Sequence, residues 1–362
     1  MTTITELWVD RGDYRATKII ESHASPLNEN EVLVRIDKFG LTANNVSYAV
    51  SGDMIGYWKY YPADDPFGKV PVWGMADVVA SNSADIQVGE RLWGFFPMAS
   101  HAKLTVGKVR DDNFMDATPH RLELPALYNQ YRRTKGEPEF LQTLEDERCL
   151  LFPLFMTSFV LYDYLIDNDF FGAKQILIGS VSSKTGFGLA KFLHDDKNIQ
   201  QKIVGITSAG NVGFIERLDC CDQIVAYGDE GEIDSSQPAA YVDMSGNGPL
   251  TEKLHLHFDE NMVESCMVGA THWEEERRTD KSLPGARPTF FFAPAQIAKR
   301  DKEWGAGALF AKAAIASAKV ADSIKDEINV ERMSGAEAAA AIWKDMLDNK
   351  VAPSRGIMVG LN

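Results

Sequence analysis

Beyond residue 150 the chain alternates short apolar runs with helical stretches, and this alternation restricts the possible folds more than any other property of the sequence. The runs 175–179, 202–207, 223–226 and 240–244 read as strands, with helices over 186–194 and 212–218. Strands recurring about every 25 to 30 residues, separated by helices, are the signature of βαβ units and a parallel sheet. A helical stretch over 150–165 precedes the first of these strands. The apolar segment 262–271 and the run Phe290-Phe291-Phe292-Ala293-Pro294 are expected to complete the sheet. The tail closes with an Ala-rich helix over 335–348, a turn containing Pro353 and a strand over 356–360.

The first third has a different texture. Residues 31–39 alternate with a period of two, as a mostly buried strand does. Shorter runs at 70–73, 76–80, 91–96 and 101–106 follow, separated by Gly, Pro, Asn and Asp, and together they read as a compact all-β region. Residues 122–148, with Tyr128, Tyr131 and the charged stretch RRTKGEPEF, read as a surface insertion to which no chemistry is assigned. With 362 residues, 45% of them hydrophobic, the chain can build two cores.

Charge and composition exclude several function classes. The net charge of −15 repels nucleic-acid phosphates and anionic lipid, and no basic cluster is denser than Arg132, Arg133 and Lys135. Neither nucleic acid nor membrane is an expected partner. Residues 1–8 lack the basic start and apolar run of a signal peptide, and no apolar stretch approaches the ~18 to 20 residues of a membrane span. A cytoplasmic protein is therefore expected. Cys149, Cys220, Cys221 and Cys266 fit reduced structural thiols. His255 and His257, two apart, read as polar positions on one half-exposed strand face. No metal site is expected.

The turn after the first strand of the parallel sheet carries the sharpest local signal. Strand 176–179 leads through Ser180, Ser182, Ser183, Lys184 and Thr185 into a helix. In such a turn, backbone N–H groups and the helix N-terminus can face a bound diphosphate, and Lys184 adds a cation. The bland alternative is a well-capped turn, since Ser and Thr are ordinary N-caps. At the end of the second strand, about 20 residues on, NAD-binding domains place an acid for the ribose hydroxyls. Here the stretch 205–213 holds Thr207, Ser208 and Asn211, and the next carboxylate is Glu216. A neutral, hydroxyl-rich end leaves room for a 2′-phosphate bound by Thr207, Ser208 and Asn211, so NADP(H) is expected over NAD(H).

Three motifs then converge on one family. The run LNENEVLVRIDKFGLTANN at 27–45 resembles the P-x-x-x-E-V-L-V-x-V-x-x-x-G-L-N-P-x-D opening of medium-chain dehydrogenase/reductases. The run VGERLWG at 88–94 resembles that superfamily's V-G-D-R-V-W-G, and DMSGN at 243–247 its D-x-x-G. The style is closest to the zinc-free quinone oxidoreductase and enoyl reductase branch, including a group with the same Ser-Ser-Lys-Thr loop. The resemblance implies an α/β chain with a GroES-like β domain over 1–125, joined again by 306–362. A Rossmann-like doubly wound parallel-sheet domain would occupy 150–305, with 126–149 as insertion or linker and the active site in the cleft. Thr42 and Gly74 stand where zinc-dependent relatives carry ligands, so catalytic zinc is not expected.

Without zinc, a hydride reduction needs a hydroxyl or amide to stabilise the developing oxyanion. In the enoyl reductases a loop tyrosine takes the acid role; Tyr57 fits that spacing best and Tyr48 second, with Asn45 and Asn44 as amide donors. Ser245 and Gly269, at later strand ends, join the candidate cofactor residues, and His272 and Trp273 lie beside the expected nicotinamide. The expected function is NADPH-dependent reduction of a polarised double bond or carbonyl in an apolar small molecule, by a homodimer. The rival reading is a non-catalytic ligand-binding or regulatory protein that keeps the fold.

Overall fold

The run Gln175–Gly179 is buried along its whole length, as the central strand of a parallel sheet must be. The computed structural model describes residues 2–268 and 283–362, which form two units: Leu151–Ile328, and Met1–Leu150 with Asn329–Asn362.

In the unit Leu151–Ile328 the strands are β1 (Gln175–Gly179), β2 (Lys202–Thr207), β3 (Gln223–Ala226), β4 (Ala239–Asp243), β5 (Met262–Met267) and β6 (Thr289–Phe290). Among the described residues they form one parallel sheet in the order β3-β2-β1-β4-β5-β6. The order reverses between β1 and β4, and open sheets of this type bind ligands at the carboxyl ends beside that reversal. Gly179 stands opposite Asp243 there. Leu177, Val204, Ile206, Tyr241, Leu254 and Phe258 form part of the core on one sheet face. Helix Ala308–Ser323, read above with the tail, packs on Phe152–Asp167 and Ala293–Trp304 within this unit. The chain re-enters the other unit only at Asn329.

His255 and His257 lie on the helix Gly248–Phe258, not on a strand. Asn247 caps this helix by accepting from Leu250 N, and a proline in its first turn suits a helix start. His255 is fully buried, because both ring nitrogens find partners in Ser265 Oγ (2.9 Å) and Pro284 O (2.8 Å).

In the other unit, Glu31–Leu41, Pro71–Ser81, Arg91–Pro97, Gln130–Arg133, Asn113–Asp116 and His101–Gly107 pair in that order. Glu31–Leu41 also pairs with His101–Gly107, Val34 opposite Ala102, which closes the ring and leaves it no free edge. Arg355–Gly360 extends Glu31–Leu41, and Asn329–Ser334 lies beyond it. The segment 126–149 is thus not a surface insertion. It supplies the barrel strand Gln130–Arg133, and two of its arginines are buried in ion pairs. Arg133 makes a double hydrogen bond to Glu90 (2.8 and 2.9 Å), and Arg148 another to Glu137 (2.7 Å each).

Candidate cofactor turn and aromatic cluster

The turn after β1 is drawn tight by its own backbone. Ser183 N donates to Ser180 O at 2.9 Å, and Val181 N extends the ladder to Ile206 O. Ser180 adopts φ +53°, a left-handed conformation that favours glycine. Tyr227, the residue after β3, hydrogen-bonds to Ser180 and helps hold it there. Ser183 is the N-cap of the twelve-residue helix Lys184–Asp195, its Oγ accepting from Gly186 N at 3.1 Å. A Cβ at Gly186 would sit 2.6 Å from Ser180 O and 2.8 Å from Val181 Cα, so only glycine lets the helix approach the turn this closely. The Ser158 hydroxyl donates to Thr185 O at 2.7 Å and fixes the helix from the opposite side.

The sequence candidates divide into an inner and an outer set. Ser182 and Thr207 are buried; Thr207 Oγ1 donates to Ser182 Oγ at 2.8 Å, and Asn211 Nδ2 donates to the same oxygen at 3.2 Å. Thr207 and Asn211 therefore hold Ser182 and so shape the turn. Ser180, Ser183, Lys184 and Thr185 are half-buried, and Ser208 is exposed. Burial pulls the Lys184 ammonium down to about 8. Ser245 is fully buried at the end of β4, where its Oγ donates to Asp243 Oδ1 (2.5 Å) and accepts from Asn247 N (3.1 Å). Asp243 Oδ1 also accepts from Ser245 N and Gly246 N, so three donors satisfy this buried acid next to the turn. Gly269, His272 and Trp273 lie outside the described residues.

Hydroxyls, first-turn N–H groups and one cation without a carboxylate in the turn make a donor set suited to a phosphate ester or diphosphate. Ser180, Ser183, Lys184 and Thr185 are the residues that could hold such a group, with Ser182 buried beside them. Sequence reasoning missed Tyr227; its position directly after a strand of the parallel sheet was the available signal.

The aromatic candidates of the barrel unit form a packed cluster: Tyr48, Tyr57, Tyr60, Trp73 and Phe95, flanked by Tyr61, Trp93 and Tyr128. Tyr57 is 7% exposed and Tyr48 6%. The Tyr57 and Tyr128 hydroxyl oxygens are 2.9 Å apart. Tyr48 Oη accepts from Trp73 Nε1 at 3.2 Å and from the Asn44 side chain. Burial pushes the ionisation of both Tyr48 and Tyr57 well above the ordinary phenol value, so each is a neutral proton donor at physiological pH. Asn45 sits differently. Its Oδ1 accepts from Thr42 N (2.8 Å) and its Nδ2 donates to Pro71 O (3.0 Å), so its amide caps the helix Ala43–Val50 and straps it to the barrel.

Beneath the cluster lies Arg121, only 1% exposed, which pairs with Asp116 at 2.6 Å. It also donates to Asn129 Oδ1 and to the Tyr128 carbonyl, while its guanidinium lies over the rings of Tyr60, Tyr61 and Tyr131. No sequence signal pointed to it, because its partners come from several separate segments.

Thr42 and Gly74 carry no ligand, and a Cβ at Gly74 would lie 2.7 Å from Lys38 O. Among the described residues no group of three or more His, Cys, Asp or Glu could hold a metal ion. No helix among them is long and apolar enough to cross a membrane.

Known structures share this architecture. CurA from Vibrio vulnificus in complex with NADPH is 11% identical, with 100% of this chain and 99% of that one covered and a TM-score of 0.61. A mutant form of enoyl thioester reductase from Candida tropicalis is 11% identical over 99% of this chain and 100% of that one, with a TM-score of 0.57. The yhdH oxidoreductase from Salmonella enterica in complex with NADP is 12% identical over 99% and 100%, at a TM-score of 0.54. At such identities the likeness establishes the fold, a GroES-like β domain plus a Rossmann-like parallel-sheet domain. No curated protein sequence matches. At the level of sequence, residues 39–352 match the family described as "Protein of unknown function (DUF2855)", and the chain belongs to that family.

Proposed function

We propose that this chain is an NADPH-dependent, zinc-independent oxidoreductase that reduces a polarised double bond or carbonyl in an apolar small molecule of quinone, enone or enoyl type. The observation that carries the reading is the turn 179–186. It is a Ser183-capped helix start at the carboxyl end of β1, held by Ser182, Thr207 and Asn211, and carrying a half-buried Lys184. That donor set fits an anionic dinucleotide, and solved structures of the same fold are described in complex with NADP or NADPH.

Each residue then has a definite task. Ser180, Ser183 and Thr185 offer hydroxyls to the diphosphate, Thr185 adds a first-turn N–H, and Lys184 balances the charge. Ser208, exposed and not an acid, leaves a 2′-phosphate unopposed. The cofactor, when bound, supplies hydride. Tyr57, with Tyr48 as second candidate, holds a neutral phenol proton for the oxygen that gains charge. A homodimer acting in the cytoplasm completes the proposal.

The test is NADPH oxidation by the purified full chain with menadione and with benzylideneacetone. Turnover that survives exhaustive chelation supports the reading. Micromolar NADPH binding without turnover of any quinone, enone or carbonyl would favour the non-catalytic alternative.

A further inference from the structure

The Tyr57–Tyr128 hydroxyl pair holds more than the acid role of Tyr57. With the oxygens 2.9 Å apart, one hydroxyl donates to the other, and the accepting tyrosine keeps its own proton for a further acceptor. Tyr128 is the better anchored of the two. Arg121 Nη2 donates to its carbonyl at 3.0 Å, Tyr60 Oη donates to Pro125 O at 3.1 Å, and Arg121 and Asn129 exchange two further hydrogen bonds. These contacts set the Tyr128 ring at 79° to Tyr57, with centroids 5.4 Å apart. At this distance either hydroxyl can be the donor, and burial raises the ionisation of both.

We propose that Tyr128 is a positioning residue for Tyr57: its hydroxyl donates to the Tyr57 oxygen, so that the Tyr57 proton is the one presented to a carbonyl oxygen. The catalytic half of this inference rests on the reductase reading above. The cofactor, when bound, would supply the hydride whose addition leaves negative charge on a carbonyl oxygen. That oxygen takes the Tyr57 proton, the Tyr57 O–H bond breaks, and Tyr128 stabilises the phenolate left behind. Water then returns a proton to Tyr57. The strand-bearing segment 126–149 and the residues just before it would thus serve the acid directly.

Two readouts on the full chain test this. The first is proton NMR of the slowly exchanging hydroxyl proton shared by this pair, assigned apart from those of the other buried tyrosines. Tyr128→Phe should abolish the resonance, and Tyr57→Phe should only shift it. The opposite pattern, or no such resonance, overturns the pairing. The second is kcat with NADPH and menadione or benzylideneacetone. Tyr128→Phe should lower kcat about 5- to 10-fold with KM unchanged and thermal stability only slightly lowered, the effect of losing one neutral hydrogen bond. The double variant should be no slower than Tyr57→Phe alone. Multiplicative losses, or full activity in Tyr128→Phe, overturn the positioning role. A wild-type protein that binds NADPH but turns over neither probe contradicts the reductase reading instead, and the hydroxyl resonance separates that failure from a failure of the pairing.

Discussion

The cofactor turn and the aromatic cluster are built by opposite means. In the turn, backbone does most of the work: a strand end, a tight bend at Ser180 and a capped helix bring Ser182, Ser183 and Lys184 together within five residues. The cluster is built by side chains drawn from residues 48 to 128, gathered on a closed barrel and pinned by one buried arginine. A site made by local backbone tolerates exchange of a single side chain. A site made by distant side chains depends on its keystone.

That difference sets the largest expected effect. Arg121→Met would leave Asp116 buried without its partner, which typically costs about 3 to 5 kcal/mol. Thermal unfolding and near-ultraviolet circular dichroism should show a lower midpoint and a weakened aromatic signal. A variant as stable as the wild type would mean that the cluster is held by packing alone.

Next comes Tyr57→Phe, which removes one hydroxyl from the same cluster. Positioned acids contribute ~10²- to 10⁴-fold to rate, so kcat should fall by that order while NADPH affinity holds and stability falls by no more than about 0.5 to 1.5 kcal/mol. Lost stability with turnover intact would make Tyr57 a packing residue.

These two regions also differ in how far they could be read from sequence. The strands β1, β2 and β3 were legible to the residue because buried parallel strands are short apolar runs bounded by turns. Gln130–Arg133 was not, since QYRR looks like surface; the full burial of Tyr131 and the ion pair of Arg133 with Glu90 make a barrel strand of it. Edge strand Thr17–His23 was missed for a related reason, being largely exposed and carrying its apolar Ile19 outward. His255 was misplaced because a hydroxyl and a carbonyl, both distant in sequence, make its burial affordable. In the turn, the hydroxyl-rich loop was legible, but the division into a buried Ser182 and half-buried neighbours needed the positions of Thr207 and Asn211. Arg121 and Tyr128 left no local pattern to find.

Lys184→Ala sharpens the contrast from the other side. Removing a phosphate cation should weaken NADPH binding by ~1.5 to 3 kcal/mol. The pH dependence follows from the lowered ammonium. Phosphate binding favours the charged form, so wild-type affinity should decline as pH rises through about 8, and the Ala variant should lack that step. Stability runs the opposite way. Between about 8 and the ordinary 10.5 the unfolded chain holds this proton more firmly, so the contribution of Lys184 to folding improves with rising pH. Isothermal titration and thermal melts at pH 7 and pH 9 check both signs. The smallest effect is expected for Thr207→Val, which removes one donor to Ser182 while Asn211 remains; a loss of about 0.5 to 1.5 kcal/mol in stability, read by denaturant unfolding, is the expected outcome.

The central claim is that the turn binds NADPH. Fluorescence titration of the full chain with NADPH and with NADH tests it most directly, through quenching of tryptophan and enhancement of nicotinamide emission. Saturable binding at micromolar NADPH is expected, at least ~10-fold tighter than NADH because no carboxylate follows Thr207 to oppose a 2′-phosphate. Equal affinities or a preference for NADH would contradict the assignment of the second strand end, and no binding of either would contradict the cofactor turn itself.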